Sequence, residues 1–509
     1  MSGQAGQQAM AAASLGQWLR GVLAEGAALA ADSRAVRRGD GFIAWRGARH
    51  DGRDHIGQAI ERGAAAVLYE GDASIATGAV PSRAVPLLRQ LAGPIAAEFY
   101  GRPSERLEVV AVTGTNGKTS CTQWIARGLA NAGRSAAVIG TLGSGIVRAS
   151  DAPAALETFG LTTPDAVALQ RMLAEFADAG VEVVAMEASS IGLDQGRLDG
   201  TRIGTAVFTN FSRDHLDYHG TEEAYLEAKR RLFGREGLRT AIVNGDDPVA
   251  SQILEELPES IQTVAFGQLP GEHGWRARRK LSAYRIVEER DAALVSVGGD
   301  WGRAQIRLHT MGGFNVVNAM AVAATWLSLG DSFDDVMQRL EGLRSLPGRM
   351  EQVRVDGGPL VVVDYAHSPD ALLVVLQALR PIADARGGVL WCVFGAGGDR
   401  DAGKRPIMGM VAERLADRVV VTSDNPRSET PFRIASDIRA GFTREPWLTE
   451  LDREAAIRGV LGSAGADDVI LIAGKGHETW QEIEGRRLPF SDVEVARRCL
   501  RQRLEQVRV

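Results

Sequence analysis

One short turn, between a buried strand and an amphipathic helix, constrains the fold of this chain more than any other stretch. Residues 107–114 read LEVVAVTG, which is apolar on both faces and rich in β-branched side chains, as in a buried parallel strand. After the turn, TSCTQWIARGLANAG carries apolar residues at helical spacing and ends at Gly133. Backbone N–H groups at such a helix start, together with the helix dipole, favour a bound anion. The segment therefore predicts a phosphate-binding loop.

The loop itself, TGTNGKTS at 113–120, departs from the usual pattern of such loops. G-x-x-x-x-G-K-[ST] requires a glycine five residues before Gly117, and Val112 stands at that position. In a loop of this type Lys118 would reach the β- and γ-phosphates, and the Thr119 hydroxyl would bind Mg²⁺. The alternative is a glycine-containing turn with an ordinary surface lysine, but the flanking strand and helix favour nucleotide binding.

Strand-like and helix-like segments alternate along the chain, which predicts an α/β protein with doubly wound sheets. The alternation falls into three parts, at 1–106, 107–345 and 346–509, and the second part contains the phosphate loop. Apart from the strand at 107–114, strands are predicted at 41–45, 65–69, 135–141, 181–189, 205–210, 240–245, 360–367, 388–398, 418–426 and 468–476. Ligands of open α/β sheets bind outside the carboxyl ends of strands, so polar residues there are candidates for a site.

Two strand ends in the second part carry carboxylates and imidazoles. MEASS ends one strand with Glu187, and TNFSRDHLDYHG supplies Asp214, His215, Asp217 and His219 after another. Together these groups could hold a metal ion beside the γ-phosphate. Each also has a simpler interpretation, since an aspartate can cap a helix and a histidine beside a glycine can belong to an ordinary loop.

Composition excludes several classes of protein. The net charge of −6 and the pI of about 5.9 argue against a nucleic-acid-binding or anionic-membrane protein. The three cysteines are scattered without C-x-x-C spacing, so neither a disulfide framework nor a zinc site is expected. The N-terminal residues lack the pattern of a signal peptide, and no stretch approaches the ~20 apolar residues of a membrane span. We expect a cytoplasmic protein, without membrane insertion, that acts on small molecules.

The motifs together point to one family. TGTNGKTS, MEASS, TNFSRDHLDYHG, YLEAKRRLF, GGFNVVNAMA, LPGRMEQV, VVDYAHSPD, GAGGDRDAGKRP, DNPR and GKGHE occur in this order. The chain resembles the Mur ligase family from about residue 32 to about residue 492, most of all its members that add meso-diaminopimelate. The resemblance implies three domains: a UDP-substrate domain at 1–106, a central P-loop-type ATPase domain with a parallel sheet at 107–345, and a Rossmann-like amino-acid domain at 346–509.

The resemblance also implies a reaction. A monomeric enzyme would use ATP and Mg²⁺ to phosphorylate the terminal carboxylate of UDP-MurNAc-L-Ala-D-Glu, giving an acyl phosphate. The amine of meso-diaminopimelate would then attack, forming an amide for peptidoglycan precursor synthesis. The residues that match catalytic positions are Lys118, Glu187, His215 and Lys229. Thr119 and Glu187 would hold one Mg²⁺, and His215 would contact a second metal or the γ-phosphate. Lys229, modified to a carbamate, would also bind Mg²⁺. Without the resemblance, Lys229 would be interpreted as a solvated lysine on a helix.

Binding residues follow by the same match. The ATP positions are Gly114, Thr115, Asn116, Gly117, Lys118, Thr119, Ser120, Asn318, Arg349, Asp364 and His367. The UDP-MurNAc-dipeptide positions are Ala31, Ser33, Ala48, Arg49, His50, Thr162, Thr163, Ser189, Gln195 and Arg197. The meso-diaminopimelate positions are Arg400, Asp424, Asn425, Pro426, Arg427, Gly474 and Glu478. A guanidinium at Arg427 can bind a carboxylate through two hydrogen bonds, which suits a substrate with a second carboxylate.

The sequence departs from the family pattern at three positions, and it leaves several rival functions open. Ile191 stands where many relatives have His, Ala31 where Leu is commoner, and Phe314 where other Mur ligases often have His. These changes affect fine contacts around the sugar, uracil and adenine. The rivals are a ligase that adds L-lysine or D-Ala-D-Ala, a folylpolyglutamate synthetase, a P-loop switch or motor, and a non-catalytic nucleotide-binding scaffold. DNPR and Arg400 argue against a ligase that adds L-lysine or D-Ala-D-Ala. The UDP-substrate domain implied for residues 1–106 argues against a folylpolyglutamate synthetase.

Overall fold

The structure, a computed structural model, describes residues 2–47, 50–71, 75–149, 156–157, 160–268, 274–288, 292–355 and 357–507. Its strands form three sheets of four, ten and six strands that follow one another along the chain, and one two-stranded hairpin. Helices cover the sheets, as the alternating pattern predicts, because parallel strands that are apolar on both faces must be covered on both. The division at 106/107 and 345/346 stays a prediction.

The first sheet is small and wholly parallel, with the order β1-β2-β3-β4. Its strands are β1 (Leu29–Ala30), β2 (Gly41–Ala44), β3 (Ala66–Glu70) and β4 (Ser82–Val85). Helices α1 (Ser2–Val22) and α3 (Leu88–Phe99) cover one face, and α2 (Ile56–Glu61) covers the other. Short 3-10 turns lie at Ser33–Ala35, Gly52–His55 and Pro103–Glu105. No helix among the described residues combines the length and apolar character needed to cross a bilayer.

The second sheet has ten strands in the order β14-β13-β12-β11-β10-β9-β5-β8-β6-β7. The strands are β5 (Glu108–Thr113), β6 (Ala136–Gly140), β7 (Gly143–Val147), β8 (Val183–Glu187), β9 (Thr205–Phe208), β10 (Thr240–Asn244), β11 (Gln262–Gly267), β12 (Arg279–Glu288), β13 (Ala293–Gly299) and β14 (Gly302–Leu308). The centre is parallel, while β7, β13 and β14 pair antiparallel to their neighbours. The sequence predicted the parallel centre, but not these antiparallel edges.

Alternate side chains of β5 face opposite layers of helices, as the two-residue period of a strand requires. Val110 and Val112 belong to the core that contains α4 and α10, whereas Val109 and Ala111 belong to the core that contains α5. The helices of this part are α4 (Lys118–Asn131), α5 (Ala166–Asp178), α6 (Ser190–Asp194), α7 (Leu216–His219), α8 (Glu222–Arg230), α9 (Val249–Glu256), α10 (Gly313–Ser328) and α11 (Phe333–Glu341). Both faces of the central strand β5 are thus buried against helices, which fixes the position of its carboxyl end.

The third sheet has the order β15-β16-β20-β17-β18-β19 and is parallel except for β15. Its strands are β15 (Glu351–Val353), β16 (Leu360–Asp364), β17 (Leu390–Phe394), β18 (Arg418–Val421), β19 (Leu448–Thr449) and β20 (Val469–Ala473). Helices α12 (Pro369–Arg386), α13 (Lys404–Leu415) and α14 (Pro431–Arg439) cover one face, and α15 (Arg453–Ser463) and α16 (Asp492–Val507) the other. A hairpin of β21 (Trp480–Ile483) and β22 (Arg486–Pro489) follows β20.

Strand order decides which loops meet. In the second sheet β5 lies between β8 and β9, so the phosphate loop starts beside Glu187 and beside the segment that follows Phe208. In the third sheet β16, β20, β17 and β18 are neighbours, so the loops after Asp364, Ala473, Phe394 and Val421 share one edge. These are the two groups of polar strand ends that the sequence marks.

Candidate active site

The phosphate loop is held in shape by two glycines and by the segment after β9. Gly117 has a φ of 85° at the N-terminus of α4, and a Cβ there would lie 2.4 Å from Asn318 Oδ1. A Cβ on Gly114, whose φ is 144°, would lie 1.9 Å from Thr209 Oγ1. Asn210 accepts from the loop through its backbone oxygen, from Thr115 N at 2.8 Å, and through Oδ1, from Asn116 N at 2.9 Å. Larger residues could not replace either glycine without moving these partners.

Val112 explains the shortened loop. It lies inside β5 and is fully buried, so the turn begins at Gly114, directly after the strand ends at Thr113. A glycine at this position would weaken the central strand of the sheet, because it removes packing and adds backbone freedom. The prediction that the chain carries a short form of the loop agrees with this geometry.

Lys118 folds back over its own loop. Its Nζ donates to Gly114 O at 2.8 Å and to Thr115 O at 2.9 Å. Burial lowers the pKa of Lys118, while the negative charges of Glu187 and Asp214 act in the opposite direction. The ammonium therefore lies over the loop at which a phosphate would bind.

Glu187 and Thr119 form a buried group of oxygen atoms beside the loop. Glu187 is 1% exposed, and its Oε1 accepts from Thr119 Oγ1 at 3.0 Å and from Thr141 N at 2.7 Å. Its Oε2 accepts from Thr141 Oγ1 at 3.1 Å. Carboxylate and hydroxyl oxygens are the ligands that Mg²⁺ prefers, so the pair fits the predicted metal. No three His, Cys, Asp or Glu side chains in the described ranges could hold a metal alone, so the prediction depends on Thr119 and on a carbamate at Lys229.

Lys229 is buried in the second domain rather than solvated. It is 1% exposed, its Nζ donates to Gly114 O at 2.7 Å, and it lies 4.2 Å from the centre of the Tyr225 ring. Burial and, after it, the charge of Lys118 lower the pKa of Lys229 well below that of an ordinary lysine. The structure thus brings a buried lysine, with its pKa lowered, to the phosphate loop, and the interpretation as a surface lysine is wrong.

Asp214 and His215 lie where the second and third sheets face each other. His215 has a φ of 53°, and burial lowers its pKa to about 3. Asp214 Oδ2 lies 3.7 Å from His215 Nε2 and 3.7 Å from His367 Nε2, and Oδ1 lies 3.8 Å from Lys404 Nζ. Burial alone would raise the pKa of Asp214, but His367, His215 and Lys404 outweigh it and keep that pKa well below its usual value. One carboxylate therefore contacts both domains.

The predicted nucleotide residues of α10 and the third domain differ in their surroundings. Arg349 Nη2 donates to Thr119 Oγ1 at 3.1 Å, which places its guanidinium at the loop. Asn318 is buried against Gly117. Asp364 uses both carboxylate oxygens to accept from Met350 N and Ala366 N, each at 2.8 Å, and burial raises its pKa. Asp364 therefore shapes the backbone, and its contact with a nucleotide stays a prediction.

The predicted UDP-MurNAc-dipeptide residues fall into two groups. Thr163 Oγ1 lies 3.0 Å from Ser189 Oγ, and Arg197 donates to Thr163 O at 2.7 Å and to Gln195 Oε1 at 3.0 Å. Thr162 joins this group to Thr141 through a 3.0 Å hydrogen bond. The others belong to the first domain, where no hydrogen bond among the described residues joins them to this group. They include Ala31 and the exposed His50. Ser33 also belongs to them, and it donates to Gln58 Oε1 at 2.7 Å. Ala48 and Arg49 lie outside the described residues.

The predicted amino-acid residues meet at the edge of the third sheet. Asn425 Nδ2 donates to Glu478 Oε2 at 2.8 Å. A Cβ on Gly474, whose φ is 113°, would lie 2.3 Å from Asp424 Oδ2. Arg427 has a φ of 53° and donates from Nη1 to Gly398 O at 2.7 Å. Pro426 precedes it in the same loop, and Arg400 is exposed, with one hydrogen bond to Asp399 O at 3.3 Å.

Family models match three parts of the chain. They are "Mur ligase family, catalytic domain" at 27–100, "Mur ligase middle domain" at 112–326 and "Mur ligase, glutamate ligase domain" at 348–476. The UDP-N-acetylmuramoyl-L-alanyl-D-glutamate--2,6-diaminopimelate ligase of Ralstonia nicotianae is 48% identical over 496 residues, which cover 96% of this chain and 95% of that protein. This chain belongs to the Mur ligase family.

Further relatives agree with this membership. A protein of the same name from Acidovorax sp. is 48% identical over 485 residues, covering 93% of this chain and 94% of its own. A solved structure of a ligase with that name is 35% identical, covers 94% of this chain and 95% of its own, and has a TM-score of 0.64. A MurF ligase from Thermotoga maritima in complex with ADP has a TM-score of 0.65 at 19% identity, covering 94% and 98%, which shows the shared fold. The predicted Mur ligase architecture is confirmed.

Some residues of this Mur ligase site were not singled out from the sequence. Thr141 completes the hydrogen bonding of Glu187, and Lys404 approaches Asp214 from the third domain. Lys404 stands in GAGGDRDAGKRP, a motif that marked the region but not this side chain. Thr141 follows a buried strand directly, which was an available signal for a residue at a strand end.

Titration of His477 makes the folding stability of this Mur ligase depend on pH in the acid range. Burial lowers its pKa to about 3, with the charges of Arg349 and Lys475 adding to the effect. An unfolded histidine has a pKa of ~6.5, so below that pH the unfolded chain binds a proton that the folded chain does not. The contribution of this group to stability is therefore complete above pH 6.5 and falls as the pH is lowered towards 3, by up to about 1.4 kcal/mol per pH unit.

We expect His477→Gln to flatten this dependence. Between pH 6.5 and 5, the urea midpoint of the wild type should fall more than that of the variant, while His215 keeps contributing to both. Equal slopes for the two proteins would show that His477 titrates normally in the folded state.

Proposed function

We propose that this protein is an ATP-dependent ligase that adds meso-diaminopimelate to UDP-MurNAc-L-Ala-D-Glu through an acyl phosphate. The carrying observation is that residues of the third domain reach the centre formed by the phosphate loop, Glu187 and Lys229: Arg349 Nη2 donates to Thr119 Oγ1 at 3.1 Å, and Lys404 Nζ lies 3.8 Å from Asp214 Oδ1. Asn425, Arg427 and Glu478 lie at the carboxyl edge of the sheet in that domain. Relatives at 48% identity over nearly the whole chain bear the name of this activity. The proposal places the tripeptide-forming step in the synthesis of peptidoglycan precursors.

The chemistry suits the two groups of residues. A carboxylate is a poor acyl donor, and transfer of the γ-phosphoryl group to it supplies a leaving group. The α-amine of the acceptor then attacks the acyl carbon, the C–O bond to phosphate breaks, and the amine loses a proton. In the proposal, the Gly114–Ser120 backbone and Lys118 bind the phosphates and offset the charge that builds up on the transferred group. Asn318, Arg349, Asp364 and His367 bind the rest of the nucleotide.

Metal binding is assigned to the oxygen atoms beside the loop. Thr119 and Glu187 would hold Mg²⁺, which when bound offsets negative charge on the phosphoryl group. Burial lowers the pKa of His215 to about 3, so its imidazole is neutral near pH 7 and can bind a metal or donate one hydrogen bond to a phosphate. Lys229, a buried lysine whose pKa is lowered by burial, is suited to add CO₂ through its deprotonated amine and become a carbamate, which is an anionic oxygen ligand.

The two organic substrates are assigned to opposite sides of this centre. Thr162, Thr163, Ser189, Gln195 and Arg197 would bind the muramoyl dipeptide near Glu187, and Ala31, Ser33, Ala48, Arg49 and His50 the uridine end. The acceptor would lie at Arg400, Asp424, Asn425, Pro426, Arg427, Gly474 and Glu478. Arg427 would bind the second carboxylate of meso-diaminopimelate, which L-lysine lacks. A cytoplasmic monomer that binds neither nucleic acid nor membrane belongs to the same proposal.

A substrate panel tests this function. Phosphate release should require UDP-MurNAc-L-Ala-D-Glu, ATP, Mg²⁺ and meso-diaminopimelate together, and mass spectrometry should find the tripeptide product. Without the second carboxylate, L-lysine should react at least ~10-fold less efficiently, because charge-assisted hydrogen bonds contribute about 1.5–3 kcal/mol. Comparable turnover with L-lysine contradicts the acceptor assignment. Fast ATP hydrolysis without either organic substrate would instead favour a nucleotide switch.

A further inference from the structure

Lysine is scarce in this chain, and its positions are uneven. The sequence has 58 lysine and arginine residues, of which five are lysine, so arginine fills all the other positions. Lys118, Lys229 and Lys404 lie in or beside the loops described above, and Lys280 lies on the strand β12. The fifth, Lys475, follows β20 and is not among the residues of the proposed function. In a chain that otherwise uses arginine, a buried lysine marks a position at which a compact cation is needed.

Lys475 is fully buried between two residues of the predicted acceptor site. It is 0% exposed, and its Nζ donates to Glu478 Oε2 at 2.7 Å and to Asn425 Oδ1 at 3.0 Å. The ring of Trp480, 5.5 Å from the ammonium, lies on another side. A buried ammonium is costly unless paired, so these contacts hold all three polar side chains in one arrangement.

The first consequence concerns Glu478. Its Oε2 accepts from both Lys475 and Asn425 Nδ2, whereas its Oε1 accepts no hydrogen bond from the described part of the chain. The side chain of Glu478 is only 16% exposed. One oxygen is therefore fixed by the protein, and the other remains able to accept from an ammonium group of a bound amino acid.

The second consequence concerns Asn425 and, through it, Arg427. Asn425 Oδ1 accepts from the Lys475 ammonium and from Glu482 N at 2.9 Å, and both partners are donors. The atom between them must be the oxygen, so the amide nitrogen has to point to Glu478. Glu482 O in turn accepts from Arg427 N at 3.0 Å. The Lys475 ammonium is thus connected to the backbone of the arginine predicted to bind the second carboxylate.

Charge gives Lys475 an effect on selectivity. The predicted acceptor site holds the cations Arg400 and Arg427 and the anions Asp424 and Glu478, and Lys475 adds a third positive charge. Loss of Lys475 leaves the Glu478 carboxylate without its buried cation. The charge of these five residues then falls from +1 to 0, which weakens binding of a second acceptor carboxylate and so favours, relative to the wild type, an acceptor that ends in an ammonium alone.

We propose that Lys475 is a positioning residue for the distal amino-acid group of the acceptor, acting through Glu478 and Asn425. It orients Glu478 towards the acceptor ammonium, and it keeps the pocket suited to a zwitterionic end rather than to a lone ammonium. This inference rests on the proposed function, because it assumes that an amino acid binds at this edge of the third sheet.

The test compares Lys475→Met, Glu478→Gln and the double variant with the wild type. Lys475→Met should raise the KM for meso-diaminopimelate at least ~10-fold, as expected for a lost charge-assisted hydrogen bond, while the KM for ATP changes less than ~2-fold. The preference for meso-diaminopimelate over L-lysine should fall by a similar factor. Since Lys475 acts partly through Glu478, the double variant should raise the KM by less than the product of the two single effects. Lys280→Met, a lysine change on the remote strand β12, is the matched control.

A merely structural role predicts a different pattern. If Lys475→Met lowers kcat and raises both KM values together, or if its effect multiplies with that of Glu478→Gln, the positioning role is wrong. Calorimetric binding of ADP to each variant reports whether the fold is intact independently of turnover. If the wild type ligates another amino acid, the same KM comparison is made with that acceptor. A wild type that ligates none rejects the proposed function, and the inference with it.

Discussion

Replacing Lys229 by alanine is expected to lower the ligation rate by roughly 10²–10³-fold, the loss found when one charge-stabilising group is removed from an active site. The Nζ of Lys229 lies 2.7 Å from Gly114 O in the phosphate loop, and burial holds its pKa well below the ordinary lysine value. A neutral amine can add CO₂, whereas an ammonium cannot. The variant loses both the amine and any carbamate formed on it.

Three measurements separate the carbamate from a simple lysine. Bicarbonate with a small carboxylate should partly rescue Lys229→Ala, because the deleted side chain leaves room for an exogenous anion. Carbon-13 NMR with labelled bicarbonate should show a carbamate signal in the wild type and none in Lys229→Met, which keeps the side-chain volume. Lys280→Ala, a lysine removed from the edge region of the same sheet, should retain activity. Near wild-type turnover by Lys229→Ala would remove the proposed role.

Replacing Asp492 by alanine is expected to destabilise the third domain by about 3–5 kcal/mol, the cost of leaving one member of a buried ion pair unpaired. Arg453 and Asp492 are both 0% exposed, and two parallel hydrogen bonds of 2.7 and 2.8 Å join them. Arg453 also donates to Ser423 O at 3.1 Å and Ala473 O at 2.9 Å, at the ends of the two strands that carry the predicted acceptor residues. Stability and acceptor binding should therefore fall together.

Calorimetry and kinetics check this result. The thermal transition of the third domain should fall by roughly 10 °C, at about 2–4 °C per kcal/mol for a domain of this size. The KM for the acceptor should rise more than that for ATP, because the carbonyls that Arg453 binds precede Asp424 and Gly474. The control is Glu255→Ala, which breaks an exposed 2.7 Å pair with Arg276 and should cost less than ~1 kcal/mol. A similar loss of stability in Asp492→Ala and Glu255→Ala would show that burial does not increase the contribution of the Arg453–Asp492 pair.

Local patterns were sufficient for the elements that form the framework of the site. Apolar runs such as the one at 107–114 became buried parallel strands, because a segment that is apolar on both faces has few other stable positions. Elements at the edges of the sheets were less predictable from local sequence. The antiparallel strands β12, β13 and β14 and the helix α1 carry weaker patterns, since one face of each meets solvent or a partner that local sequence does not reveal.

Sequence alone was enough to predict the three α/β parts, the short phosphate loop and, through its motifs, the family. These depend on periodicity and on glycine positions, which act over a few residues. Three features became evident only from the folded structure: Lys229 is buried with a lowered pKa, Asp214 contacts both domains, and Lys475 and Arg453 support the acceptor residues. The reason is that burial and pairing depend on which strand ends become neighbours, and that order arises from contacts between residues far apart in the chain.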